Sequence, residues 1–144
     1  MRWAILGLLL VTALVAGCAP AAQTTEATPL PALVSPQDAV SMLEADSEDV
    51  VLLDVRTQQE WDIDGHAAQA MLIPLDQLPQ RYTELDPNDT IIVVCRSGNR
   101  SQTASQFLRE QGFSRVTEVE RGMRNWVAQG LPVECAVETC ALTQ

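Results

Sequence analysis

Cys95 closes an unbroken apolar run, Ile91-Ile92-Val93-Val94, and is followed at once by Arg96-Ser97-Gly98-Asn99-Arg100-Ser101. A cysteine with a glycine and two arginines so close behind it suits nucleophilic attack on an anionic substrate. Gly98 permits the positive φ that a tight loop needs. Backbone amides of such a loop, ahead of a helix, point into one small space and favour negative charge there. A thiol in that space titrates below the usual value of about 8.5, so thiolate is present at working pH, and reactive cysteines of this kind are partly exposed. The plainer alternative is an inert cysteine buried in the core. A core cysteine has no use for a glycine and two arginines beside it.

Composition removes other chemistries. The chain has 144 residues, and its nine basic residues are all arginine, against nineteen Asp and Glu, for a net charge of −10. That balance argues against nucleic acid as a partner, because phosphate backbones are held by dense Lys/Arg surfaces. Without lysine there is no Schiff base and no P-loop lysine. His66 is the one histidine, so a multi-histidine metal site is excluded.

The elements that must position Cys95 read as an alternation of strands and helices. Ser35-Pro36-Gln37-Asp38 is a helix start, with an N-cap serine and proline at the first position, and Val40 and Leu43 would face inward. Val50-Val51-Leu52-Leu53, ending at Asp54, and Ile91–Val94 are apolar runs suited to strands covered on both faces of a parallel sheet. Thr57-Gln58-Gln59-Glu60 is a capping box that starts a short helix. Met71-Leu72-Ile73 is a short strand closed by Pro74; Leu75, Leu78, Tyr82 and Leu85 follow at helical spacing, with Pro79 expected to break or kink that helix. Ala104, Phe107 and Leu108 mark a helix stopping at Gly112, Val116 and Val119 a further strand, and Met123, Trp126 and Val127 a last helix before Gly130. Strands alternating with helices imply an α/β domain, a largely parallel sheet covered on both faces. The cysteine then lies at the carboxyl edge of the sheet, where such folds bind ligands.

From Leu53-Asp54-Val55-Arg56 through Glu60-Trp61, Gly65-His66, Ile73-Pro74-Leu75 and the Cys95 loop to Gly122-Met123 and Trp126, the chain resembles a single-domain rhodanese. The loop is the specific part of the likeness. The resemblance implies a mostly parallel five-stranded sheet with helices on both faces, and a sulfurtransferase whose Cys95 becomes persulfidated. It implies a substrate pocket made by Arg96, Ser97, Gly98, Asn99, Arg100 and Ser101. The implied reaction moves sulfane sulfur from thiosulfate or a similar donor to cyanide or a thiol, and the resemblance implies no metal or organic cofactor. The spacing Cys95 to Arg100 is Cys-x4-Arg. Related phosphatases use a loop one residue longer, so phosphate and arsenate are disfavoured as substrates.

Other residues take plainer roles. In the family the Gly-His step at His66 is a structural turn. Asp54 and Arg56 support the loop or pair with Glu60. Trp61 and Trp126 are expected in the core. Arg121 and Arg124 are either surface charge or a lure for anions near the pocket. The sequence departs from the family where Ala67-Ala68-Gln69-Ala70 replaces the usual Ile-Pro-Gly-Ala, and where the usual Gly-Gly pair is Arg121-Gly122.

The ends carry separate signals. Arg2 precedes an apolar run from Trp3 to Gly17, shorter than the roughly 20 residues a spanning helix needs. Its end, Leu14-Val15-Ala16-Gly17-Cys18, resembles the bacterial lipoprotein signal. The expectation is a signal peptide over residues 1–17, acyl chains on Cys18 that anchor the protein to the extracytoplasmic face of a membrane (periplasm or cell surface), and an Ala/Thr/Pro-rich tether over residues 18–32. The domain spans residues 33–133 and a tail spans residues 134–144. In the tail Cys135 and Cys140 are a candidate disulfide, with a redox or sulfur-relay role as the alternative. Two function classes follow: an enzyme, or a rhodanese-like module that carries sulfur or binds a partner without turnover. The presence of the loop cysteine favours the enzyme.

Overall fold

The computed structural model describes residues 29–45, 48–136 and 140–141. Its strands are β1 (Leu33–Val34), β2 (Val50–Asp54), β3 (Ala70–Leu72), β4 (Thr90–Val94) and β5 (Val116–Val119). Its α-helices are α1 (Pro36–Ala45), α2 (Gln58–Asp64), α3 (Leu78–Arg81), α4 (Asn99–Glu110) and α5 (Gly122–Ala128). The strands form one sheet in the order β1-β5-β4-β2-β3, and every pairing is parallel.

The apolar runs became the central strands because both of their faces are covered. On one side Leu53, Ile91, Val93, Leu108 and Phe113 form a core with Leu78 and Ala104. On the other, Leu52, Ile92, Val94, Ala39, Leu43, Met123 and Trp126 form a second core. Successive residues of β2 and β4 alternate between these cores, as the strand period requires. Leu43 is buried and Val40 packs half-buried beside it.

Local signals explain most boundaries. Ser35 Oγ accepts a 3.1 Å hydrogen bond from the Asp38 amide at the start of α1. Both halves of the capping box form at α2: Thr57 Oγ1 accepts from the Glu60 amide, and Glu60 Oε2 accepts from the Thr57 amide at 3.1 Å. Pro79 behaves differently from expectation. It lies in the first turn of α3, where no amide partner is needed, and so it starts the helix rather than breaking it. A 3-10 turn, Tyr82–Glu84, follows. The tail folds back on the domain: His66 and Glu134 exchange backbone hydrogen bonds of 2.7 and 2.8 Å, and the buried Cys140 packs at Gly65.

Candidate active site

Strand β4 delivers Cys95 to the carboxyl edge of the sheet, between β2 and β5. The chain then turns within a few residues into α4. Gly98 makes the turn with φ 108°, a left-handed conformation that a Cβ disfavours. Its amide donates to Cys95 Sγ at 3.1 Å. The amides of Ser97 and Ser101 and the Ser101 hydroxyl face the same sulfur. That hydroxyl is buried and has no other hydrogen-bond partner among the described residues.

These donors set the charge of the sulfur. Burial pushes the Cys95 thiol up, and the hydrogen bonds from Ser101, Ser97 and Gly98 outweigh it, so the thiol titrates below its ordinary value of 9.0. Cys95 is only 1% exposed, more enclosed than its sequence setting suggested. It is packed with Val93 on one side and roofed by loop amides, so an incoming group meets the sulfur through the loop.

The loop is held from outside by α5. The Met123 amide donates to the Cys95 carbonyl at 2.8 Å and the Arg124 amide to the Arg96 carbonyl at 3.1 Å. The loop's carbonyls are therefore tied away from the sulfur while its amides point in. Gly122 makes this approach feasible: a Cβ there would run into the Cys95 carbonyl. Sequence reasoning placed Gly122 in the likeness without finding this contact.

Both loop arginines are ion-paired. Arg100 donates two hydrogen bonds of 2.6 Å to the Glu60 carboxylate, and its charge still acts on Cys95. Arg96 lies 3.6 Å from Asp64 and is well exposed. Asn99 opens α4 at the surface. Asp54 and Arg56 sit at the end of β2, and Asp54 is in register with Val94 of β4. Arg56 does not reach Glu60. It is fully buried and grips Asp54 through contacts of 2.7–3.0 Å, with a further 2.8 Å bond to the Gly65 carbonyl. The pair closes on itself because Asp54 is two residues away and Glu60 is claimed by Arg100.

The remaining candidates lie outside this ring. His66 stacks on Trp61 with ring centroids 3.7 Å apart, and its Nδ1 lies 3.2 Å from the Ala67 carbonyl. Trp61 is thus half-buried against His66 and not in the core, whereas Trp126 is buried as expected. Cys135 and Cys140 are joined in a disulfide with Cα atoms 5.7 Å apart. Cys18 lies outside the described residues.

Comparison with known proteins agrees with this geometry. The rhodanese-like domain family matches residues 35–129. A sulfurtransferase of Allochromatium vinosum is 35% identical over 96 residues, covering 67% of this chain and 89% of that protein. A thiosulfate sulfurtransferase, GlpE, of Actinobacillus pleuropneumoniae is 33% identical over 103 residues, covering 72% of this chain and 93% of its own. Among solved structures, the rhodanese-like domain of an Anabaena protein superposes with a TM-score of 0.67 at 28% identity, covering 76% of this chain and 83% of that one. With a matching fold, a matching family profile over most of the domain and a cysteine ringed by amides, the chain belongs to the rhodanese-like domain family, whose relatives support a sulfurtransferase or sulfur-carrier kind of activity.

Proposed function

We propose that this protein moves a sulfane sulfur from thiosulfate or a similar anionic donor to cyanide or a thiol, through a persulfide on Cys95. One observation carries the reading: Cys95 Sγ sits within a ring of donors from Ser97, Gly98 and Ser101 that stabilise negative charge on sulfur. The Cys95 thiolate attacks the outer sulfur of thiosulfate. The sulfur–sulfur bond of the donor breaks, and sulfite leaves with its electron pair. The ring that held the thiolate then faces the persulfide. An acceptor nucleophile takes the outer sulfur, and the electron pair of the broken bond returns to Cys95. Each half-reaction starts from an anionic nucleophile, so no general base is required.

The same proposal holds the domain at the extracytoplasmic face of a membrane by acyl chains on Cys18. Its support is the sequence pattern before Cys18 and the Cys135–Cys140 disulfide, a bond that persists in oxidising compartments.

The test is thiosulfate-to-cyanide turnover by the full chain beside Cys95→Ser, with mass spectrometry of the protein after exposure to thiosulfate. The parent should gain one sulfur and turn over, and the variant should do neither. Turnover by Cys95→Ser, or a parent that takes no sulfur from any sulfane donor, would overturn the reading.

A further inference from the structure

Arg121 has φ 58° and ψ 13°, and it is the one non-glycine residue with positive φ among the described residues. L side chains adopt this left-handed conformation at a cost, which points to a use for the side chain. The rhodanese pattern carries glycine at this position. Here an arginine stands where the backbone favours glycine, one residue from the close approach of Gly122 to the Cys95 carbonyl.

Arg121 lines a pocket of about 360 Å³ with Ser97, Arg124, Asn125 and Ala128. Ser97 joins this pocket to the reacting centre, because its amide faces the Cys95 sulfur. The Arg124 amide holds the Arg96 carbonyl of the same loop. Asn125 Nδ2 donates to the Glu120 carbonyl at 3.0 Å, which fixes that wall. Four other arginines are paired with Asp54, Glu84, Asp64 and Glu60. Arg121 and Arg124 are exposed and make no ion pair among the described residues, although the exposed Glu120 precedes Arg121 in sequence. Two unneutralised guanidinium groups therefore border the active loop of a chain whose net charge is −10. A volume of this order belongs to the range of about 300–1,000 Å³ that takes small organic ligands, and thiosulfate or cyanide would fill only a part of it.

We propose that Arg121 and Arg124 form an anion subsite beside the Cys95 loop that selects, as sulfur acceptor, an organic thiol bearing a carboxylate or sulfonate a few bonds from its sulfur. The proposal rests on the sulfur-transfer reading above. The acid group of the acceptor binds the guanidinium pair while its thiolate attacks the outer sulfur of Cys95–S–SH. The bond between the two sulfurs breaks, Cys95 leaves as thiolate, and the acceptor departs as its own persulfide, RS–SH. No oxidant or reductant is consumed. The rest of the protein repels such an acceptor, so this local pair of charges governs its approach.

The experiment compares 2-mercaptoethanesulfonate with 2-mercaptoethanol as acceptors from thiosulfate-loaded full-length protein, each rate corrected for its thiolate fraction, with cyanide as a third acceptor. The ratio of kcat/KM for the sulfonate to that for the neutral thiol should fall about tenfold in Arg121→Gly and in Arg124→Gln, mainly through KM. Arg121→Gly relieves the left-handed backbone and so retains its fold; Arg124→Gln leaves the backbone untouched. Raised salt should lower the same ratio in the parent. An unchanged ratio in both variants, with cyanide turnover present, would overturn the subsite and leave sulfur transfer standing. Failure of the parent with cyanide and with both thiols would overturn sulfur transfer itself, and the subsite with it.

Discussion

Arg100 and Glu60 lie forty positions apart and meet through two parallel hydrogen bonds of 2.6 Å. Glu60 also completes the capping box of α2 by accepting from the Thr57 amide. One carboxylate thus caps α2 and anchors the first turn of α4, the helix that the Cys95 loop feeds. The arginine is held in place by this pair, so the sulfur is stabilised at short range by amides and a hydroxyl, and by Arg100 only through its charge.

Glu60→Gln should lower stability at neutral pH by on the order of 1 kcal/mol, allowing for solvent screening of a partly exposed pair. The Arg100 bonds, opposed by burial and assisted by Thr57, hold the Glu60 carboxyl down to about 2 from 4.5. A depressed carboxyl stabilises the fold above its unfolded value and loses that contribution as pH falls through the folded one. Thermal melts of parent and variant should therefore differ at pH 7 and converge as pH falls from about 4.5 to about 2. A constant difference down to pH 2 would count against the pair.

Alkylation of Cys95 by iodoacetamide should rise with pH and level off with a midpoint below the ordinary thiol value of 9.0. Ser101→Ala removes a hydroxyl donor and should move that midpoint upward. A midpoint at or above the ordinary value in the parent would show that burial outweighs the donors.

Gly122→Ala should abolish sulfur uptake and cost about 2 kcal/mol or more, because the new methyl meets the Cys95 carbonyl and the backbone at φ 60° is left-handed. Gly130→Ala is the control. It shares the positive φ, at 73°, but nothing lies within 4 Å of its Cβ, so it should cost about 1 kcal/mol and keep activity. Denaturant melts and a sulfur-uptake assay on the two variants separate the clash from the backbone cost.

The double variant Cys135→Ser/Cys140→Ser should lose about 2 kcal/mol, the magnitude expected for closing so short a loop. The measured quantity is the shift in denaturant midpoint, with reduced parent protein as a second arm. Equal midpoints with and without reductant would mean that the bond contributes nothing to the fold.

Features written in adjacent residues were legible before the structure was known. Thr57 and Glu60 announce a helix start within four positions, Ile91–Val94 announces a doubly buried strand, and Cys95 to Ser101 announces a tight glycine turn into a helix. Features set by distant contacts were not. No local pattern says that Glu60 will choose Arg100 over Arg56; in the fold Arg56 is taken by Asp54, and Arg100, forty positions on, reaches Glu60 from the first turn of α4. Trp61 has core composition, yet the fold gives it His66 as a stacking partner at the surface. β1, only two residues long, is too short to carry a period, and it exists because β5 offers an open edge. Pro79 is ambiguous in the sequence because a helix breaker and a helix first-turn residue look alike until the helix start is known.

The strand β1 has a directional consequence. It runs parallel to β5, and just before it the Pro31 and Ala32 carbonyls already accept hydrogen bonds from Thr117 and Glu118. The polypeptide therefore enters β1 at the floor of the domain, while Cys95 stands at the opposite, carboxyl edge of the sheet. A change to the chain ahead of β1 therefore falls at the edge of the sheet opposite Cys95 and leaves the amides around its sulfur untouched.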